Sequence, residues 1–287
     1  EGPFGEERRI EATAATGLAT TADGHLVIGE LASGRLQELD LTVEGAEPVE
    51  LRSVPLVDAD LEQGGLLGLV ALDDTRLAAA VTGTDGRLRI DELDAATGEV
   101  RRTRWRGPEA AERANGGRMA VLADGTLLIG IGDLLDPDLV DQPDAPNGKV
   151  LAIAEDGTAT PWAAGFNNPF ALTGDGLGDV WVADNAPGSR PERLLRVTEG
   201  EVRKVTEWDD TRVPSGIAVL PDGRLALCSY ATGELAVVDP ADPGDGRGEV
   251  IADDCRYGVV ALGDGGLAYA ADDEVVLLEG AGIVDDD

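Results

Sequence analysis

Between Asn115 and Asp133 the chain reads NGGRMAVLADGTLLIGIGD: an apolar run, an Asp-Gly pair, then a second apolar run. Asp-Gly between two β-prone runs marks a hairpin, because the glycine accepts the positive φ that such a turn needs. The same module occurs earlier as TGLATTADGHLVIGE (Thr16 to Glu30) and GGLLGLVALDDTRLAAAVTG (Gly64 to Gly83). Later copies are NNPFALTGDGLGDVWVADN (Asn167 to Asn185), PSGIAVLPDGRLALCSY (Pro214 to Tyr230) and CRYGVVALGDGGLAYAADD (Cys255 to Asp273). Their turn positions, Gly24, Thr75, Gly125, Gly176, Gly223 and Gly265, recur every 42–51 residues. After each hairpin comes a further strand-like run: GRLQELDL, GRLRIDEL, GKVLAIA, ERLLRVT, GELAVVD and DEVVLLE. Four short antiparallel strands at this period make one propeller blade, so the expected fold is all-β, a six-bladed β-propeller. EERRIEAT near the N-terminus is expected to supply the outer strand of the last blade and close the ring. Residues 1–287 read as one propeller domain with an acidic C-terminal tail (Asp285 to Asp287), and helix is expected to be minor.

Composition narrows the function. With 23 Lys and Arg against 56 Asp and Glu, the formal charge is −33, which repels phosphate backbones and anionic headgroups. Nucleic-acid binding is therefore not expected, and no apolar stretch is long enough to span a membrane as a helix. His25 is the only histidine, which removes His-cluster metal sites and makes a Ser-His-Asp triad hard to build. It follows the first Asp-Gly turn and is expected on the face away from the functional end. The two cysteines, Cys228 and Cys255, exclude Cys-rich metal sites. They fall at the mouth-side ends of neighbouring strands, where a disulfide is sterically reasonable, with two buried free thiols as the alternative.

Propeller topology gathers the starts of the innermost strands and the ends of the second strands around one channel mouth. Strand starts bring Gln63, Asn115, Asn167, Asn168, Ser215 and Arg256 there; strand ends bring Glu30, Asp133, Asp184, Asn185, Tyr230 and Asp272. A concave ring of amides, carboxylates and a guanidinium is the default small-molecule site. The acids Asp133, Asp136, Asp138, Asp141 and Asp144 read either as a solvated loop or as a loop for a hard cation. Trp105, Trp162, Trp181 and Trp208 are expected to pack between blades, with Trp162 the candidate exception as a sugar platform.

These segments, taken in order, resemble the soluble quinoprotein (PQQ-dependent) glucose/sorbosone and aldose sugar dehydrogenases. The resemblance runs from about Gly17 to Leu278. It is carried by EQGGLLGL at Glu62, NGGRMAVLADGTLLIGIGD at Asn115, NGKVLAIAEDG at Asn147, PWAAGFNNPFAL at Pro161, DVWVADNAPG at Asp179 and PSGIAVLPDGRLAL at Pro214. It implies a six-bladed propeller holding PQQ and calcium at its mouth. Position by position, it implies cofactor binding by Gln63, Asn168 and Arg256. Asp133 takes the place of the family's Gly-Asp pair, as a carboxylate for calcium or as a substitute base. Backbone carbonyls of Ala186 and Pro187 take the place of the calcium-binding segment.

Departures from the pattern point the other way. The family's general-base histidine, two residues before the Gly-Gly pair, is Ala114 here, and a methyl group accepts no proton. The arginine before Asn168 is Asn167, the lysine after the fifth blade's second strand is Ala231, and the second quinone-binding arginine is Gly258. PQQ carries three carboxylates, and only Arg256, Arg113 and Arg118 are available for them. The expectation is a secreted propeller, extracellular or periplasmic, that binds a small ligand of the sugar or quinone class, calcium, or both, without efficient oxidation. Alternatives are an active PQQ-dependent aldose dehydrogenase, a calcium-dependent lactonase using Glu30, Asn168 and Asp184 or Asp222, and a propeller that binds a protein partner.

Overall fold

The computed structural model describes residues 4–55, 61–186, 190–263 and 265–280. Strand β1 (Phe4–Glu11) is set aside for the last blade. Blade one is β2 (Ala15–Thr20), β3 (His25–Glu30), β4 (Leu36–Asp40) and β5 (Val49–Glu50). Blade two is β6 (Leu66–Asp73), β7 (Arg76–Thr82), β8 (Arg87–Asp94) and β9 (Val100–Glu109). Blade three follows with β10 (Gly116–Val121), β11 (Leu127–Ile131), β12 (Lys149–Ile153) and β13 (Ala159–Ala164). Blade four is β14 (Asn168–Gly174), β15 (Val180–Asn185), β16 (Glu192–Thr198) and β17 (Glu201–Trp208). Blade five is β18 (Pro214–Val219), β19 (Leu225–Ser229), β20 (Leu235–Val238) and β21 (Glu249–Ala252). Blade six is β22 (Gly258–Ala261), β23 (Leu267–Ala270) and β24 (Glu274–Gly280), completed by β1, which pairs antiparallel with β24. The N-terminal strand thus closes the ring, and among the described residues helix is reduced to one 3-10 turn, Pro137–Leu139.

Local chemistry explains the hairpins. Gly24, Gly125, Gly176, Gly223 and Gly265 all have φ between 74° and 91°, the left-handed conformation that favours glycine. The aspartate before three of them, and the equivalent Asp73, accepts a backbone N–H two residues on: Thr126, Leu177, Arg224 and Thr75 donate at 2.7–3.0 Å. Successive blades are held by apolar burial, with one cluster at each of the six blade-to-blade contacts among the described residues. Trp105, Trp162, Trp181 and Trp208 all belong to these clusters. Trp162, the candidate sugar platform, lies in outer strand β13 against blade four and not at the mouth. His25 opens β3 on the face opposite the mouth, with Nδ1 2.9 Å from Glu38 Oε1. Cys228 of β19 and Cys255 are disulfide-bonded, with Cα atoms 5.5 Å apart, which ties blade five to the start of blade six.

Candidate functional site

Blades one, three and five reach the mouth through the same turn. The residue just before the inner strand turns left-handed and aims its carbonyl at the N–H just past the second strand. Leu31 donates to Ala14 (3.0 Å), Leu134 to Ala114 (3.2 Å) and Tyr230 to Val213 (2.9 Å). Ala14, Ala114, Leu134, Leu135 and Val213, with φ of 46–61°, are the non-glycine left-handed residues of the described chain, and all lie on this face. Such conformations cost free energy and persist where the surroundings enforce them, often at functional sites.

Arg118 of β10 forms the floor of this mouth. It is buried, and its guanidinium reaches across the channel to the free edges of four other inner strands. Nε donates to Phe170 O (3.1 Å), one terminal nitrogen to Thr16 O, and the other to Ser215 O (3.1 Å) and Tyr257 O. It also stacks over the Phe170 ring, 4.8 Å from the centroid. The carbonyls exist because an innermost strand has no neighbour on its channel side. Desolvation without an opposing carboxylate lowers the Arg118 pKa to about 10, so it stays charged at neutral pH. Beyond it, the channel is a cavity of about 350 Å³ walled by the inner strands.

Around the rim, blade four provides the most constrained group. Asp184 is fully buried and accepts the N–H groups of Asn167 and Asn168 at 2.9 Å, the Asn167 carboxamide at 3.1 Å, and Arg193. Burial pushes its carboxyl pKa up, while Arg193 and the N–H donors pull it back. Glu192 is likewise raised by burial, and its carboxylate receives the N–H groups of Arg212 and Val213. Asn168 is 3% exposed, and its Oδ1 has no hydrogen-bond donor. A Cβ built on Gly132 would lie 2.6 Å from that oxygen and 2.0 Å from Ala114 O, so only glycine leaves this space open. Ala114 itself is buried, and its N–H donates to Gln63 Oε1 at 3.0 Å.

The other candidate residues divide. Gln63 and Asn115 brace the turn: Asn115 bonds Ala111 through both amide atoms at 2.8 Å and Gln63 O at 3.2 Å. Arg256 donates to Tyr230 O at 2.5 Å, and Tyr230 packs edge-on to Tyr257 with ring centroids 5.7 Å apart. Burial, with Tyr230 and Asp272 nearby, raises the Tyr257 phenol to about 12. Asp133 adjoins Ala114 through Leu134, and its Oδ1 accepts the Leu135 N–H at 3.0 Å. Glu30 is held by Thr13, Ser33 and Arg35. Ala186 is buried at the end of β15, whereas Pro187 lies outside the described residues. Asp222 sits in the β18–β19 turn, at the opposite end of the blade from the mouth, so of the two candidate aspartates only Asp184 adjoins Asn168. Among the described residues, no three His, Cys, Asp or Glu side chains group where they could hold a metal ion. In the acidic loop, the Lys149 ammonium donates to the carbonyls of Val140, Gln142 and Asn147 at 2.9–3.3 Å, filling the place a cation would take.

Arg190 escaped the sequence reading. Its guanidinium bonds Asn167 Oδ1 at 2.7 Å, which returns a positive charge to the position where asparagine replaces the family's arginine. The signal was present only as a basic residue in the β15–β16 connection, 23 residues beyond its partner.

A family model described as glucose/sorbosone dehydrogenase matches residues 13–184. Among solved structures, the chain is similar to the PQQ-bound aldose sugar dehydrogenase from Streptomyces coelicolor. The match is at 20% identity and TM-score 0.79, covering 97% of this chain and 99% of that one. A putative oxidoreductase (glucose dehydrogenase) from Thermus thermophilus matches at 19% identity and TM-score 0.77, covering 95% and 100%. The soluble aldose sugar dehydrogenase from Escherichia coli, in its apo form, matches at 18% and 0.74, covering 96% and 100%. A search of curated protein sequences finds no match.

Proposed function

This chain belongs to the glucose/sorbosone dehydrogenase family, and from that premise we propose that its mouth binds a small ligand of the sugar class without efficient quinone-dependent oxidation. One observation carries the reading: position 114 holds a buried alanine, whose N–H is fixed by Gln63 and whose carbonyl is fixed by Leu134 beside Gly132. Positioned general bases contribute roughly 10²–10⁴-fold to such reactions, and Asp133, the candidate substitute carboxylate, is engaged with the Leu135 N–H. PQQ fits this mouth poorly. Asn167, Ala231 and Gly258 stand where the family has cations, and Arg118 is consumed by four carbonyls. Calcium has no carboxylate cluster to receive it among the described residues. The disulfide accords with an extracellular or periplasmic site of action.

An active, divergent PQQ-dependent aldose dehydrogenase is the second reading, favoured by the charge that Arg190 restores beside Asn168. Purified protein supplied with PQQ and calcium, then assayed for aldose-dependent dye reduction, separates the two. The first reading expects no sugar-dependent rate above background. Turnover in the ordinary enzyme range, about 1–10³ s⁻¹, would overturn it.

A further inference from the structure

Among the described residues, seventeen of the 23 basic side chains have a carboxylate within 4.0 Å. That is what an acid excess of this size should produce. The six without such a partner among the described residues are Arg8, Arg118, Lys149, Arg190, Arg203 and Arg256. Three of them, Arg118, Arg190 and Arg256, are bonded to residues on the mouth side of the ring. Arg118 bonds Phe170 O, two residues from Asn168, and Tyr257 O, next to Arg256, while Arg190 bonds Asn167. Each is held by neutral oxygens only: main-chain carbonyls for Arg118 and Arg256, a carboxamide for Arg190. Neutral acceptors fix a guanidinium without cancelling its charge.

Two of the acids at the mouth, Asp184 and Glu30, each face a guanidinium, Arg193 and Arg35. Asp184 also receives backbone N–H groups, Glu30 also receives Ser33 and Thr13, and Asp133 receives the Leu135 N–H. Three guanidiniums of the mouth are thus left without a carboxylate among the described residues. Guanidinium groups bind carboxylates by paired, charge-assisted hydrogen bonds. Asn168 Oδ1, buried beside them without a donor, calls for a hydroxyl.

We infer that the ligand of this mouth is a sugar acid, one carboxylate on a polyhydroxyl chain, bound by Arg256 and Arg190 above the Arg118 floor. The inference rests on the sugar-class reading of the mouth and narrows it. A single carboxylate needs only the two rim guanidiniums, whereas a tricarboxylate quinone needs the cations this chain lacks.

Calorimetric titration with D-gluconate and D-glucose tests the inference. Gluconate should bind at least roughly tenfold more tightly than glucose and weaken at high salt. R256Q and R190Q should each weaken gluconate by roughly tenfold while melting like the parent protein. R203Q, which removes a carboxylate-free arginine from the outer strand β17, should change nothing. Equal binding of both sugars, unaffected by R256Q and R190Q, would overturn the anion inference and leave the sugar site standing. Binding of neither sugar would overturn both.

Discussion

At the scale of single residues, two side chains define the mouth. Ala114 is a buried methyl, which accepts no proton, and Arg118 joins the free edges of blades one, four, five and six to blade three. Loss of the guanidinium would leave four channel carbonyls without a protein donor. Each such group costs about 1–3 kcal/mol when dry, and less where channel water reaches it. R118M is therefore expected to lower unfolding free energy by about 2–4 kcal/mol, read from the urea midpoint. Of this site the sequence shows the membership and hides the wiring. Gln63, Asn168 and Asp133 follow from strand starts and ends, because propeller connectivity alone brings them to one face. Arg118 looks like one position in an apolar strand until the ring closes over it. Arg190 looks like a loop residue until its partner is known. Both depend on contacts between segments far apart in the chain, which no local pattern records.

At the scale of elements, the repeat is legible because each hairpin carries its own turn chemistry. Asp-Gly sets the reversal, and apolar alternation sets which faces pack between blades. Closure by β1 is legible for the same reason: EERRIEAT alternates, and the sixth module otherwise has three strands. Deleting residues 1–11 should expose the β24 edge and give a protein that aggregates and melts well below the full chain, seen by light scattering and circular dichroism. The Cys228–Cys255 bridge spans 27 residues of sequence. A closed loop of that length restricts the unfolded chain by an amount worth about 3.5 kcal/mol, so C228S/C255S should lose about that much stability in urea. An unchanged midpoint would mean that the blade five–six apolar contact holds that junction by itself.

At the scale of the whole molecule, a net charge of −33 sets the response to salt and pH. Self-repulsion between exposed carboxylates is screened by ions, so added sodium chloride at pH 7 should raise the melting temperature. Acid acts through individual groups. Hydrogen bonds in the turns hold Asp40, Asp94, Asp124, Asp156 and Asp222 below the usual carboxylate range, and those from Thr75 and Arg76 bring Asp73 to about 2. A carboxylate with a depressed folded pKa stabilises above its unfolded value, near 4, and that stability is lost as pH falls through the folded value. Asp184 and Glu192, raised by burial, have the opposite sign and recover stability on acidification. The depressed group is the larger, so the urea midpoint should fall between about pH 4 and pH 2. A midpoint that climbed through this range would show the buried pair to dominate.

The mouth is where all three scales meet, and a crystal structure of the protein soaked with D-gluconate tests it most directly. The account predicts ligand density over Arg118, bounded by Ala114, Asn168 and Arg256, with the carboxylate toward the guanidinium groups of Arg256 and Arg190. Density at the blade rims or on the opposite face, with none in the mouth, would contradict it.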